Sequence, residues 1–104
     1  MRIPRFAAQI EWASAREAAA GTQLIQPVWF PEDGPGADGW SLIVTLLEPV
    51  ARGDTRSPAT VHFLMPTAPH HHLRAGRSIE FRAGRIPIGH VLVGEPAGFV
   101  EADA

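Results

Sequence analysis

The sequence predicts an all-β protein, a closed barrel of six short antiparallel strands. Several segments alternate apolar and polar residues with a period of two, as half-buried strands do. Turn residues separate these segments at intervals of roughly eight to twelve residues, a spacing typical of barrels and sandwiches. Closure into a barrel would remove the unpaired edges that such apolar strands otherwise expose to aggregation.

The first two strands precede a loop rich in glycine and proline. The first strand places apolar side chains on one face, at Phe6, Ala8, Ile10 and Trp12. Residues 14–20 favour a helix but span only about two turns, which predicts a loop with one helical turn. The second strand lies within residues 22–30, and Pro27 is expected at an edge or bulge because proline donates no ladder hydrogen bond. Residues 31–39 are turn formers throughout.

The third and fourth strands follow this loop. Residues 40–47 alternate but are apolar on both faces, which indicates a central or covered strand. Residues 48–58 are expected to be a connecting loop. The fourth strand is expected over residues 60–65, and Pro66 ends it.

The last two strands form a hairpin within residues 73–93. Ile79 and Phe81 alternate with polar neighbours, Ala83 and Gly84 interrupt the run, and the same period then resumes. The barrel is therefore expected to occupy about residues 5–93 of a single domain, 1–104. Residues 94–104 are expected to form a weakly ordered tail.

Composition excludes several classes of function. The 104 residues include no cysteine, so disulfides, a thiolate nucleophile and a cysteine zinc site are excluded. All nine basic residues are arginine, and a chain without lysine has neither a Schiff-base lysine nor the phosphate-binding loop of a GTPase. The net charge of −2 gives no overall attraction to nucleic acid. No apolar run approaches the roughly 20 residues that span a bilayer, and a cytoplasmic protein is expected.

A series of short motifs runs through the chain in a recognisable order. They comprise Phe6, Ala8 and Ile10; Ile25, Gln26, Pro27 and Trp29; Arg52, Gly53 and Asp54; Val61, Phe63 and Pro66; and Gly76, Ile79, Phe81, Arg82, Gly84, Ile88 and Gly89. This order resembles the C-terminal (third) β-barrel domain of elongation factor Tu and related translational GTPases. The resemblance covers residues 5–93 and implies a six-stranded antiparallel barrel.

The resemblance is weaker where the family contacts RNA. Its E-G-G-R loop is replaced by Glu17-Ala18-Ala19-Ala20-Gly21, and the arginine of its Y-R-P motif is Gln26. The GTPase domain of those factors has no counterpart in these 104 residues. The resemblance therefore implies the fold more strongly than it implies binding of transfer RNA.

A stand-alone, non-catalytic binding module is the function that these observations favour. The candidate binding residues are Arg77, Arg82 and Arg85, which cluster in and beside the hairpin. Arginine forks with Trp12, Trp29 and Trp40 as stacking surfaces would suit RNA, and both residue types are also enriched at protein interfaces. The preferred interpretation places Trp12 and Trp40 in the core or at the barrel mouth and the arginines on solvated outward faces. A protein partner is slightly favoured over RNA. No DNA, membrane, cofactor or nucleotide hydrolysis is expected.

Two alternatives stay open. His70, His71 and His72 would suit a small metal-binding or hydrolytic protein, with His62, His90 or Glu80 as a further ligand. An exposed polar loop is the preferred interpretation of these histidines. For Glu32, Asp33 and Asp38, an exposed acidic turn is preferred over a calcium site, because their spacing does not follow the calcium-loop pattern. The second alternative is a structural subunit that oligomerises through the barrel surface.

Overall fold

Six β-strands form the fold, and the computed structural model describes residues 1–102. The strands are β1 (Arg2–Trp12), β2 (Gln23–Val28), β3 (Trp40–Leu46), β4 (Arg56–Phe63), β5 (Ser78–Ala83) and β6 (Ile86–Glu101). Two short 3-10 turns, Pro31–Asp33 and His70–His72, lie in the loops. Within residues 1–102 there is no α-helix. Over the same range, no helical segment has the length and apolar character needed to cross a bilayer.

The strands join into one curled antiparallel sheet in the order β2-β3-β4-β1-β6-β5. Curling brings the two terminal strands, β2 and β5, close to each other, so the sheet nearly closes on itself. The predicted six-stranded antiparallel barrel is confirmed, with one qualification: no ladder of hydrogen bonds joins β2 to β5. Pro27 lies on β2 and thus on an edge strand, as expected.

The alternating apolar side chains fill the barrel interior. The largest fully buried members of this core are Ile10, Leu42, Val44, Leu46, Val61, Phe63, Phe81 and Val91. Trp12 and Trp40 pack against the core from its margins. The indole Nε1 of Trp12 also donates a hydrogen bond of 2.9 Å to the Oγ of Ser57. Burial of these large side chains supplies the main stabilisation of the fold, about 2 kcal/mol for each.

The expected tail is wrong, because β6 continues to Glu101. Its second half pairs with the beginning of β1, where Ile3 faces Val100 and Arg2 faces Glu101. The side chain of Ile3 is only 2% exposed. The glycines and proline of this segment suggest an unpaired chain, but bulges in the β1–β6 ladder accommodate them. Residues 103 and 104 of the expected tail lie outside the described residues.

Two loop expectations are also wrong. β4 begins at Arg56, four residues before the expected start, because Arg56 pairs with Glu11 of β1 and forms an ion pair of 2.9 Å with it. The expected helical turn within residues 14–20 is absent. Ala18 instead forms a bridge with Val50, in which each main-chain N–H donates to the other carbonyl.

Candidate functional site: the seam between β2 and β5

The seam is the gap between the facing edges of β2 and β5. In an antiparallel ladder, alternate residues direct their main-chain N–H and C=O groups to the same neighbour. The N–H of Val93 donates to the carbonyl of Arg77 at 2.8 Å. In the register that follows, Ile79 and Phe81 also direct their main-chain groups to β6. Ser78 and Glu80 therefore direct their main-chain groups away from β6 and toward the seam.

The β2 side of the seam has the same organisation. The N–H of Leu46 donates to the carbonyl of Thr22 at 2.9 Å. In this register Leu24, Gln26 and Val28 also direct their main-chain groups to β3, so Ile25 and Pro27 direct theirs to the seam. Because Pro27 has no N–H, this edge offers fewer donors than the edge of β5.

A groove of about 480 Å³ follows the seam. Its lining residues are Pro27, Val28, Trp29, Phe30, Pro31, Arg77, Ser78, Ile79, Glu80, Arg82 and Gly84. The walls thus combine proline, aromatic and aliphatic side chains with a few charged groups at the rim. This mixture of apolar surface and a small number of polar groups is typical of ligand sites.

Trp29 is the most exposed aromatic residue of the groove. It follows β2 and is 61% exposed, which is unusual for a side chain of this size. The indole nevertheless lies directly against Gly39. A β-carbon built on Gly39 would be only 2.6 Å from Cε2 and Cζ2 of the indole, so no larger residue fits there without displacing the ring. Trp29 therefore presents apolar surface in an orientation that Gly39 supports.

An ion pair joins the two sides of the seam at one end. Both terminal nitrogens of Arg77 donate to the Glu32 carboxylate, at 2.6 and 2.8 Å, and the guanidinium lies 4.7 Å from the ring centre of Phe30. These hydrogen bonds, with a main-chain hydrogen bond of Glu32, lower the pKa of its carboxyl from 4.5 to about 2. The same pair raises the pKa of Arg77. Only 15% of the Arg77 side chain is exposed.

His72 also joins the loop before β5 to the loop after β2. Its ring stacks on Phe30 with a centroid distance of 4.1 Å, and its Nε2–H donates to the Asp33 carboxylate at 2.9 and 3.0 Å. The other ring nitrogen accepts from Arg77 at 3.4 Å. The expectation of an exposed histidine loop is therefore wrong for His72, which is 2% exposed. The acidic turn is exposed at Glu32, Asp33 and Asp38, as expected, although Glu32 accepts hydrogen bonds from Arg77 and Asp33 accepts them from His72.

The histidines are not arranged as a metal centre. No group of three or more His, Asp or Glu side chains among residues 1–102 is placed to hold a metal ion. His70 donates through Nε2 to the carbonyl of Pro66 at 2.8 Å, whereas its Nδ1 and that of His62 are buried without a partner. Burial, followed by the charge of Arg5, lowers the pKa of His62.

The three candidate arginines lie along β5 and its turn. Arg77 precedes the strand, whereas Arg82 and Arg85 meet at the hairpin tip, where Nη2 of Arg82 donates to the Arg85 carbonyl at 2.7 Å. Arg82 also donates to Glu80 at 2.8 Å, and this contact lowers the pKa of the Glu80 carboxyl. Arg85 is exposed in the turn after Gly84, whose φ of 62° is in the left-handed region. Two of the three, Arg77 and Arg82, line the groove.

The sequence reasoning missed the roles of Trp29, Gly39 and Glu32. The exposure of Trp29 could have been predicted from the sequence. The side chains of Leu24, Gln26 and Val28 point into the barrel, so the side chain at position 29 points outward. The contact of Trp29 with Gly39 and the pairing of Glu32 with Arg77 depend on how loops fold. No local sequence pattern indicates either contact.

Residues 1–102 show no arrangement for nucleophilic catalysis. His72 and Asp33 resemble two members of a catalytic triad, but the free side of the imidazole faces Arg77 rather than a hydroxyl. Ser57, the one buried serine in the described range, accepts from Trp12. These contacts hold loops and strands together.

No protein-family model, no curated protein and no solved structure matches the chain.

Proposed function

We propose that this protein is a non-catalytic binding module, a small β-barrel that engages a protein partner through the groove. The exposed indole of Trp29, supported by Gly39 beside an unpaired strand edge, is the observation that carries the proposal. Tryptophan is among the residues that contribute most to binding energy at protein interfaces. Because Gly39 supports the ring, little ordering of this side chain would be required on binding.

The charges of the groove favour a protein over RNA. Arg77 is bound to Glu32, and Arg82 is bound to Glu80. Each of these arginines is already neutralised, whereas phosphate binding depends on cations that are free to replace counterions. Arg85 forms no ion pair within residues 1–102 and is the residue that would support RNA as the alternative ligand.

We also propose a relationship to the third domain of elongation factor Tu and a role in the cytoplasm. The six-stranded antiparallel barrel and the positions of its glycines support this relationship. Gly89, one of the motif residues, crosses so close to Glu11 of β1 that a β-carbon would overlap the Glu11 carbonyl oxygen. A glycine at this motif position thus has a structural reason.

In-cell photo-crosslinking tests the proposed function. A photoreactive amino acid is introduced separately at Pro31, Arg85, Leu47 and Phe99, so that Trp29 stays intact, and the adducts are analysed with and without ribonuclease. We expect adducts to one defined protein that are insensitive to ribonuclease and strongest from Pro31, which lines the groove. Recovery of RNA adducts alone would replace the protein partner with RNA, and a purified partner that binds with unchanged affinity after Trp29→Ala would refute the groove as its site.

A further inference from the structure

We infer that the seam binds an extended peptide segment of a partner protein, which pairs its main chain with the free edge of β5. This inference rests on the proposed function and specifies the class of ligand and the mode of binding. The peptide would add a strand at the only position in the described barrel where two strand edges remain unpaired. Strand addition is an established mode of peptide recognition.

The main-chain groups at the seam provide the first argument. Ser78 and Glu80 direct N–H and C=O groups away from β6, where no other strand receives them. Donors and acceptors spaced along one edge are complementary to another extended main chain and to few other ligands. A helix would satisfy its own main-chain groups and leave this edge unpaired.

The two edges are not equivalent. On β2, Pro27 removes one of the donors that would face an incoming strand. Prolines at such positions protect sheet edges from pairing. The edge of β5 between Ser78 and Glu80 has no such block, so this edge is where the peptide pairs.

The walls of the groove specify the side chains of the peptide. Along an added strand, alternate side chains point to the same face. The indole of Trp29 and the rings of Pro27 and Pro31 provide an apolar surface at one wall. An apolar or proline residue of the peptide would lie against Trp29, while its neighbours on either side point to the opposite face of the sheet, where Val28 and Ile79 are buried.

Admission of a strand breaks no existing ladder, since none joins β2 to β5. Some Cα atoms of β2 and β5 lie within 8 Å of each other, whereas two strands that flank a third are roughly 9.6 Å apart, so the peptide must widen this part of the seam when it binds. The contacts that cross the seam at one end are those of Arg77 with Glu32 and Phe30 and those of His72 with Phe30 and Asp33. These contacts hold the groove at the end where β5 begins. The peptide therefore enters from the hairpin end, where Gly84 and Arg82 form the rim.

The test begins with a phage-displayed library of random linear 12-residue peptides, selected against the purified protein. The enriched peptide is synthesised with a fluorescent label, and its affinity is measured by anisotropy. We expect Trp29→Ala to weaken binding by about 10-fold or more, as for an interface hot spot. Gly39→Ala should weaken it by about 5-fold, because the new methyl group displaces the indole without removing it. Leu47→Ala, at an apolar residue that is 54% exposed outside the groove, is the matched control.

N-methylation of the peptide, one amide at a time, tests the pairing itself. An added strand directs alternate amides to β5, so methylation should abolish binding at every second position and be tolerated between them. Hydrogen exchange at the amides of Ser78 and Glu80 should slow when the peptide binds.

Three results would overturn the inference: no enriched peptide, equal affinities for the Trp29→Ala and Leu47→Ala proteins, or an N-methylation pattern without alternation. The proposed function has a separate outcome. A protein partner crosslinked from Leu47 or Phe99 but not from Pro31 would preserve a binding module while removing strand addition at the seam. Thermal unfolding of each variant confirms that the tested proteins are folded.

Discussion

Replacement of Gly89 by alanine tests a close approach of β6 to the main chain of β1. Gly89 lies on β6 opposite Trp12 and adopts an ordinary backbone conformation, so alanine is excluded by space rather than by φ. Its β-carbon would overlap the carbonyl oxygen of Glu11 and lie 3.0 Å from the Glu11 carbonyl carbon and 3.2 Å from the Trp12 Cα. All three are main-chain atoms of β1, and they cannot rotate away.

Relief therefore requires that β6 move away from β1, which strains the ladder between them. Overpacking of this kind typically costs 1–3 kcal/mol, and we expect Gly89→Ala to destabilise the protein by about 3 kcal/mol because only main chain can yield. Two other glycines provide a graded comparison. A β-carbon on Gly94 would be 3.1 Å from the Ala7 carbonyl oxygen, which predicts a loss of about 1 kcal/mol, whereas one on Gly53 would meet nothing within 4 Å.

Urea denaturation followed by tryptophan fluorescence measures all three variants. For a protein of this size the free energy of unfolding falls by about 1.5 kcal/mol for each 1 M of urea. The urea concentration at the unfolding midpoint should therefore be lower by about 2 M for Gly89→Ala. Gly53→Ala should be unchanged or slightly more stable, because alanine restricts the unfolded chain. If Gly89→Ala were no less stable than Gly94→Ala, the close crossing of β6 over β1 would be refuted.

Three further predictions concern ionisation and the end of β6. Since the pKa of Glu32 falls from 4.5 to about 2 on folding, its stabilising contribution is present above pH 4.5 and lost toward pH 2. The free energy of unfolding should thus decline less steeply between pH 4.5 and pH 2 for Glu32→Gln than for the wild type, and equal slopes would contradict the role of Glu32. Burial lowers the pKa of His62 below 6.5, so stability should decline as the pH falls below 6.5. His62→Leu should flatten this decline between pH 7 and 5, and a decline as steep as that of the wild type would contradict the assignment. Ile3→Ala should cost about 3 kcal/mol in urea denaturation, and a loss below about 1 kcal/mol would contradict the pairing of Ile3 with Val100.

Alternation in the sequence was sufficient for most of the barrel. β3 and β5 lie where the period of two placed them, because each has one face in the core and the side chains of a strand alternate between faces. The same argument failed after Val93. Gly94, Pro96 and Gly98 disfavour a regular strand, but pairing with β1 and the burial of Ile3 outweigh these local preferences.

The candidate site was only partly accessible to sequence reasoning. Proximity along the chain identified Arg77, Arg82 and Arg85 as a cluster, and two of them line the groove. Local sequence could not show that Arg77 is occupied by Glu32, which is 45 residues away. The burial of His72 has the same origin, because Asp33 and Phe30 come from a loop that is distant in sequence and adjacent only in the folded barrel.

The placement of β1 has a consequence for how the chain folds during synthesis. β1 is made first, yet both of its neighbours in the sheet are made late: Glu11 pairs with Arg56, and Arg2 pairs with Glu101. On the ribosome, the main-chain N–H and C=O groups of β1 therefore have no strand partner, and its apolar face stays exposed, until β4 emerges. The first residues of β1 have no partner until the end of β6 is made. Folds dominated by such distant pairings form slowly and expose strands that aggregate. We expect the nascent chain to need protection of residues 2–12 by a chaperone until the last strand has left the exit tunnel.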